Sequence, residues 1–356
     1  MLHQVGGRRF VLAAGLAALL IGAGDPATAD APRDASVATA MTGVRTYGAL
    51  PETFDPATAS PERIAGYGLP PRPDRDSEPE EYAAWLRDVG PEVARAVPRL
   101  KATDVRNRRA RDPNRSTNWS GVVLSRDVGR YGPRSFQSVH AAWTVPAVQP
   151  PYGTCRHEPN SGAYQMAIWP GIGGFEIDSL LQAGTAASTR CVDGAVEAEH
   201  WAWYEFYPYP SVAIETLPAL PGHVISVYVW STSARDGHAH VVNRTLNRSA
   251  SFRFRPPAHV RLVGNSAEWI VERPESDGAL SNLANYAEAV LYEATAATGR
   301  GELVNGGHGG ADDGIRRIRN VMTTEAPHTV SLSVADVVGA KAIRFRNKGP
   351  SRFYGK

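Results

Sequence analysis

"HVISVYVWSTS" (residues 223–233) settles the fold class. Val224, Ser226, Tyr228 and Trp230 alternate with Ile225, Val227 and Val229, so successive side chains point to opposite sides of a pleated strand and both sides need cover. Short β-patterned runs recur in "NWSGVVL" (118–124), "VHAAWTVPAV" (139–148), "YQMAIWPGI" (164–172), "WAWYEFYP" (201–208), "SAEWIVE" (266–272), "YAEAVLYEAT" (286–295) and "TVSLSVADV" (329–337). Several are apolar on both faces, as strands are where two sheets pack together. Few stretches after Asn118 carry an amphipathic helix pattern. The fold expected is all-β: an antiparallel sandwich of two large sheets.

The chain upstream of Asn118 has a different composition. Arg8 and Arg9, an apolar run from Phe10 to Ala23 and the small residues Ala27-Thr28-Ala29 read as a signal peptide over 1–29. The paired arginines also fit a twin-arginine signal. The run is too short to anchor in a bilayer and no later segment reaches transmembrane length, so a secreted product with no membrane partner is expected. Residues 30–79 are rich in Pro, Ala, Asp and Glu, as in "YGLPPRPDRDSEPEE", and are expected to bury little. "EEYAAWLRDVGPEVARAV" then spaces Tyr82, Trp85 and Leu86 on one face of a short helix that breaks at Gly90-Pro91. The basic run "RNRRARDPNR" (106–115) is either a solvated linker or a processing site. Residues 30–115 are therefore read as a removable propeptide or an N-terminal extension, and 116–356 as the main domain.

Several functions are excluded by composition. Of 356 residues, 38 are Lys or Arg and 36 Asp or Glu, a net charge of +2. No basic block sits on an aromatic-rich element, so nucleic acid is not an expected partner. The two cysteines, Cys155 and Cys191, form an even set in a chain read as exported and are expected to pair as a disulfide. No Cys/His cluster has zinc spacing, and His238 and His240 share a strand face without a third ligand. No metal or cofactor is expected.

Two stretches carry the chemistry. "HWAWYEFYPYP" (200–210) puts Trp201, Trp203, Glu205 and Tyr207 on one face, with Tyr204 and Phe206 on the other. One face can fill the core while the other walls a groove for an extended peptide or glycan. "NSAEWIVERPES" (265–276) sets Glu268, Ile270 and Glu272 on one side of a strand, opposite Trp269 and Val271. The chain lacks a GxSxG elbow, an HExxH helix and a P-loop, which leaves carboxylates and amides as candidate reacting groups.

Taken in order, "NWSGVVL", "VHAAWTVPA", "AIWPGIGG" followed by "SLLQAG", "WAWYEFYP", "PGHVISVYV" and "SAEWIVE" resemble the blocks of the glutamic peptidase family, the eqolisins. The likeness runs over residues 118–347. It implies a lectin-like (concanavalin-like) sandwich and an endopeptidase acting on polypeptide in acidic medium, working as a monomer without cofactor. The family's catalytic Gln falls on Gln182 and its catalytic Glu on Glu272, while Glu268 matches the preceding, non-catalytic Glu. The residues bordering the family's site fall on Trp169, Trp203 and Glu205. The chain departs from the family pattern at Gly173, where an acidic residue is usual. Two alternatives fit the same architecture: a carbohydrate-binding lectin, and a glycoside hydrolase using Glu205 and Glu272 as its acid and base.

Overall fold

Two antiparallel sheets pack face to face. In spatial order the front sheet runs Leu100–Ala102, Val212–Ile214, Ala195–Tyr207, Leu180–Val192, Tyr164–Gly173, Ser266–Glu272, Trp119–Ser125 and Arg316–Thr323. The back sheet runs Ser36–Ala38, Val44–Tyr47, Arg248–Phe254, Asp236–Asn243, Val224–Ser233, Phe136–Thr144, Glu288–Thr298, Ala342–Asn347 and Ser331–Gly339. Strand Arg316–Thr323 also pairs with Ser331–Gly339 and so joins the two sheets. The computed structural model describes residues 34–95, 97–106, 112–256, 259–308, 313–325 and 329–349, all within one unit of residues 32–356. The expected signal peptide lies outside the described residues. Among those residues no helix is long and apolar enough to cross a membrane.

The alternation read from the sequence sorts side chains into layers. Tyr204, Phe206, Trp269 and Val271 of the front sheet meet Ile225, Val227, Val229 and Trp143 of the back sheet in the central core. Two indoles bond across the layers, from Trp269 Nε1 to the His140 carbonyl (2.9 Å) and from Trp143 Nε1 to Thr185 Oγ1 (3.0 Å). Outside this core, the other face of the front sheet carries a second buried cluster of Trp119, Val123, Trp169, Phe175, Trp203 and Ile270. Cys155 and Cys191 are bonded, as expected. Closing a loop of 36 residues contributes roughly 3–4 kcal/mol in the chain-entropy account.

The structure corrects the expectation that residues 30–79 bury little. Phe54, Ile64, Tyr67 and Leu69 join Trp85 and Val89 of the helix Pro79–Val89 in a third buried cluster against Tyr228 and Trp230 of the back sheet. Those apolar residues are isolated within Pro-rich sequence and show no period, yet together they cover one sheet face. Asp88 anchors the helix: it accepts from Arg244 at both oxygens (2.6 and 2.7 Å), from Ser226 Oγ (2.7 Å) and from the Tyr228 hydroxyl (2.9 Å). The leading segment also lends strands to both sheets. Val44–Tyr47 pairs with Arg248–Phe254, and Leu100–Ala102 with Val212–Ile214, covering edges that would otherwise expose unpaired backbone.

Candidate active site

Strand register places the five residues singled out in the sequence on the outer face of the front sheet. Glu268, Gly171, Gln182 and Glu205 form one row across four strands, and Glu272, Ala167, Ala186 and Trp201 form another. Between those rows, Ile270 stands opposite Trp169 and Trp203 opposite Gly184. Side chains alternate, so members of every second row share a face. Gln182 and Glu272 thus face the same way from strands separated by Tyr164–Gly173. Trp169 takes the grid position midway between them. Gly184 makes room for it: a Cβ there would lie 2.7 Å from that of Trp169 and 2.1 Å from the Ile168 carbonyl.

Contacts join four of the five in two pairs, Gln182 with Glu205 and Glu272 with Trp169. Gln182 Nε2 donates to Glu205 Oε2 at 3.2 Å across the hairpin that joins their strands. Glu272 is held at both oxygens, Oε1 by Asn118 Nδ2 (2.9 Å) and Oε2 by Trp169 Nε1 (3.0 Å). The Trp119 and Trp169 rings meet edge to face at 5.0 Å. Gln182, Glu205, Glu272, Trp169 and Trp203 are all buried. Gln182 Oε1 and Trp203 Nε1 are buried without a hydrogen-bond partner among the described residues. Groups of that kind call for a ligand or water.

Burial raises the Glu272 carboxyl well above its ordinary range, and the Glu205 charge adds to the rise; the Asn118, Trp169 and Trp119 donors oppose it. Such a group holds its proton to higher pH than an ordinary carboxyl does. Glu268, in the Gln182 row, is raised in the same sense by burial. Gln182 has one N–H committed to Glu205, which leaves its second N–H and its carbonyl oxygen to meet a reacting centre. No group of acidic, Cys or His side chains suited to a metal ion occurs among the described residues. His240 bonds Ser251 Oγ (2.8 Å), and His238 stacks on Trp230 at 5.0 Å between ring centres.

Residues 117–335 match the Peptidase A4 family, the eqolisins. The chain belongs to that family. This A4 chain is 29% identical to aspergillopepsin-2 of Aspergillus niger over 195 residues, 52% of its own length and 65% of that protein's, so it spans just under two thirds of this relative. It is 27% identical to scytalidopepsin B of Scytalidium lignicola over 215 residues, 58% of this chain and 73% of that protein. Its fold is shared with the crystal structure of scytalido-glutamic peptidase bound to a transition state analog inhibitor, at a TM-score of 0.50 and 20% identity over 65% of this chain and 98% of that one.

Two contacts of this candidate site escaped the sequence reading. Asn118 stands in the quoted block "NWSGVVL", but nothing local marks it as a partner of Glu272, because the two meet only through sheet register. The Gln182–Glu205 pair, in contrast, was available. Asp193 (φ 50°) and Gly194 (φ 82°) form a two-residue turn between Val192 and Ala195, and matching positions outward along both arms sets Gln182 opposite Glu205. At Gly173 (φ 83°) the Ser179 carbonyl lies 2.4 Å from where a Cβ would sit, so the acidic residue usual in the family does not fit this backbone.

Proposed function

We propose that the chain is a secreted endopeptidase that hydrolyses peptide bonds of unfolded proteins in acidic to mildly acidic medium, with Gln182 and Glu272 as its catalytic pair. The observation that carries this reading is a buried carboxyl, held by an N–H donor at each oxygen, on the same sheet face as an amide whose oxygen is unpartnered. The scissile carbonyl would lie over Trp169, with Glu272 on one flank and Gln182 on the other. Glu272 as carboxylate takes a proton from water as the water oxygen bonds to the carbonyl carbon. The carbonyl oxygen becomes an oxyanion and accepts an N–H from Gln182, a donor worth about 2.7–4 kcal/mol in comparable sites. Glu272 then returns the proton to the amide nitrogen, the C–N bond breaks, and carboxylic acid and amine leave. Glu205 orients the Gln182 amide, and Trp203 offers a free indole N–H to substrate backbone. A lectin would require neither the amide nor the perturbed carboxyl.

Residues 30–115 are proposed to be a removable propeptide, following a signal peptide over 1–29. Burial of all five site residues means that substrate enters only after covering chain has moved. The leading segment meets the site's surroundings on both sides. The Arg106 and Glu275 backbones exchange hydrogen bonds of 2.9 and 2.8 Å, three residues beyond Glu272. Asn320, whose register puts it on the catalytic face, donates to the Asp112 carbonyl at 2.8 Å. The test is to incubate the full chain in acid, follow its mass, and assay casein cleavage from pH 2 to 7 with pepstatin present. Loss of activity in both Gln182→Ala and Glu272→Ala, with folding unchanged, is the expected result. Full activity in either variant, or glycan binding without proteolysis, overturns the reading.

A further inference from the structure

The carboxyl that does the work is not set by its own strand alone. Asn118 is almost completely buried, and its amide donates to Glu272 Oε1 at 2.9 Å. That amide is itself oriented: the Ser116 hydroxyl donates to Asn118 Oδ1 at 2.7 Å, which turns the NH2 end towards Glu272. Ser116 Oγ in turn accepts from the Trp119 backbone N–H at 3.1 Å. The relay rests on fixed backbone. Ser116 pairs in parallel with Met322, and the Arg273 N–H donates to the Asn118 carbonyl at 3.0 Å.

We infer that Asn118, oriented by Ser116, is a positioning residue that holds Glu272 in the rotamer and charge state needed to accept a proton from water. The inference rests on the peptidase reading above and adds to it the group that sets the poise of its base. Trp169 holds Oε2, and the Asn118 bond holds the other oxygen. A donor to a carboxylate favours the ionised form. Without it Glu272 would hold its proton to higher pH, and the step that needs the carboxylate would begin later in a pH titration. The relay therefore acts against burial and Glu205, the two influences that push Glu272 upward. A purely structural role for Asn118 would lower stability or activity by the same factor at every pH.

The experiment compares Asn118→Ala, Asn118→Asp and Ser116→Ala with the parent in the full chain. Two readouts are taken: the titration of the Glu272 carboxyl by infrared difference spectroscopy against Glu272→Gln, and the pH profile of kcat/KM after acid incubation. In Asn118→Ala the carboxyl titration and the acid limb should move up together by roughly one to two pH units. On the acid side kcat/KM should fall roughly 10- to 100-fold, the range for losing a hydrogen bond to a charged group, and should recover as pH rises, with KM little changed. Ser116→Ala should shift both readouts in the same direction by less, and it carries the test if Asn118→Ala does not fold. Asn118→Asp sets a second carboxyl beside the first and should spread the titration further. An unmoved Glu272 titration in the folded variants overturns the inference, as does a loss of activity that is equal at all pH. If the parent proves inactive on every peptide, the peptidase reading fails, and the spectroscopic shift still decides the role of Asn118.

Discussion

Replacing Glu268 by Gln keeps the shape of the side chain while removing one ionisable group from the outer face of the front sheet. Glu268 is fully buried, and neither carboxyl oxygen has a hydrogen-bond partner among the described residues. Burial raises its carboxyl well above the ordinary value, and the Ser266 hydroxyl, outside hydrogen-bond geometry, offsets this only in part. The folded chain therefore keeps a proton that the unfolded chain releases in ordinary carboxylate fashion. The stability this contributes is fully present below the unfolded value near 4.5 and is lost as pH rises towards the folded value. Over that window the parent should lose about 1.4 kcal/mol per pH unit relative to Glu268→Gln, the free energy of one proton per unit. For a chain of this size the gap in melting midpoint opens by roughly 2 °C per pH unit. Thermal melts from pH 3 to 8, in a Glu272→Gln background that prevents self-digestion, measure it directly. A gap that stays flat across the range, or a Glu268→Gln protein destabilised equally at every pH, would refute the reasoning.

Four further outcomes are expected. Gln182→Ala should lower kcat on denatured haemoglobin roughly 10²- to 10³-fold with little change in KM, because the amide acts on the oxyanion and not on the ground state. The acid limb of kcat/KM should lie above the ordinary carboxylate range, since burial and Glu205 raise the Glu272 carboxyl; a kcat/KM that stays level below that range would contradict Glu272 as the initial base. Asp88→Ala should cost about 3 kcal/mol in urea unfolding, the lower end for breaking a buried pair, because Arg244 keeps its 2.7 Å contact with Glu293. His140, His238 and His240 are pushed down to about 4 by burial. Stability from their neutral forms is present above the unfolded value of 6.5 and drains as pH falls towards 4, so acid melts of the full chain should steepen over that window and flatten when all three become Gln.

How much of this was legible in the sequence depended on whether the cause was local. The split of Trp203 and Glu205 from Tyr204 and Phe206 follows from strand period alone, and the structure sends the first pair to the outer face of the front sheet and the second to the core. Trp269 and Glu272 separate for the same reason. Packing of the leading segment was not legible, because Phe54, Ile64 and Tyr67 gain cover from Tyr228 and Trp230 far along the chain. A proline-rich stretch without period carries no sign of a partner that distant. Asn118 is the sharper case, since it faces Glu272 through pairing of strands 154 residues apart. The glutamic peptidase blocks located the residues of the site, but the grid that sets Trp169 between Gln182 and Glu272 came only with the register.

A crystal structure of the acid-processed chain with a peptide transition-state analogue tests the central claim most directly. The expected density shows the tetrahedral centre over Trp169, one oxygen within about 2.6–3.2 Å of a Glu272 carboxyl oxygen and the other at the same reach from Gln182 Nε2. An analogue bound on another face, or one that touches Glu272 while Gln182 stays paired with Glu205 out of reach, would contradict it.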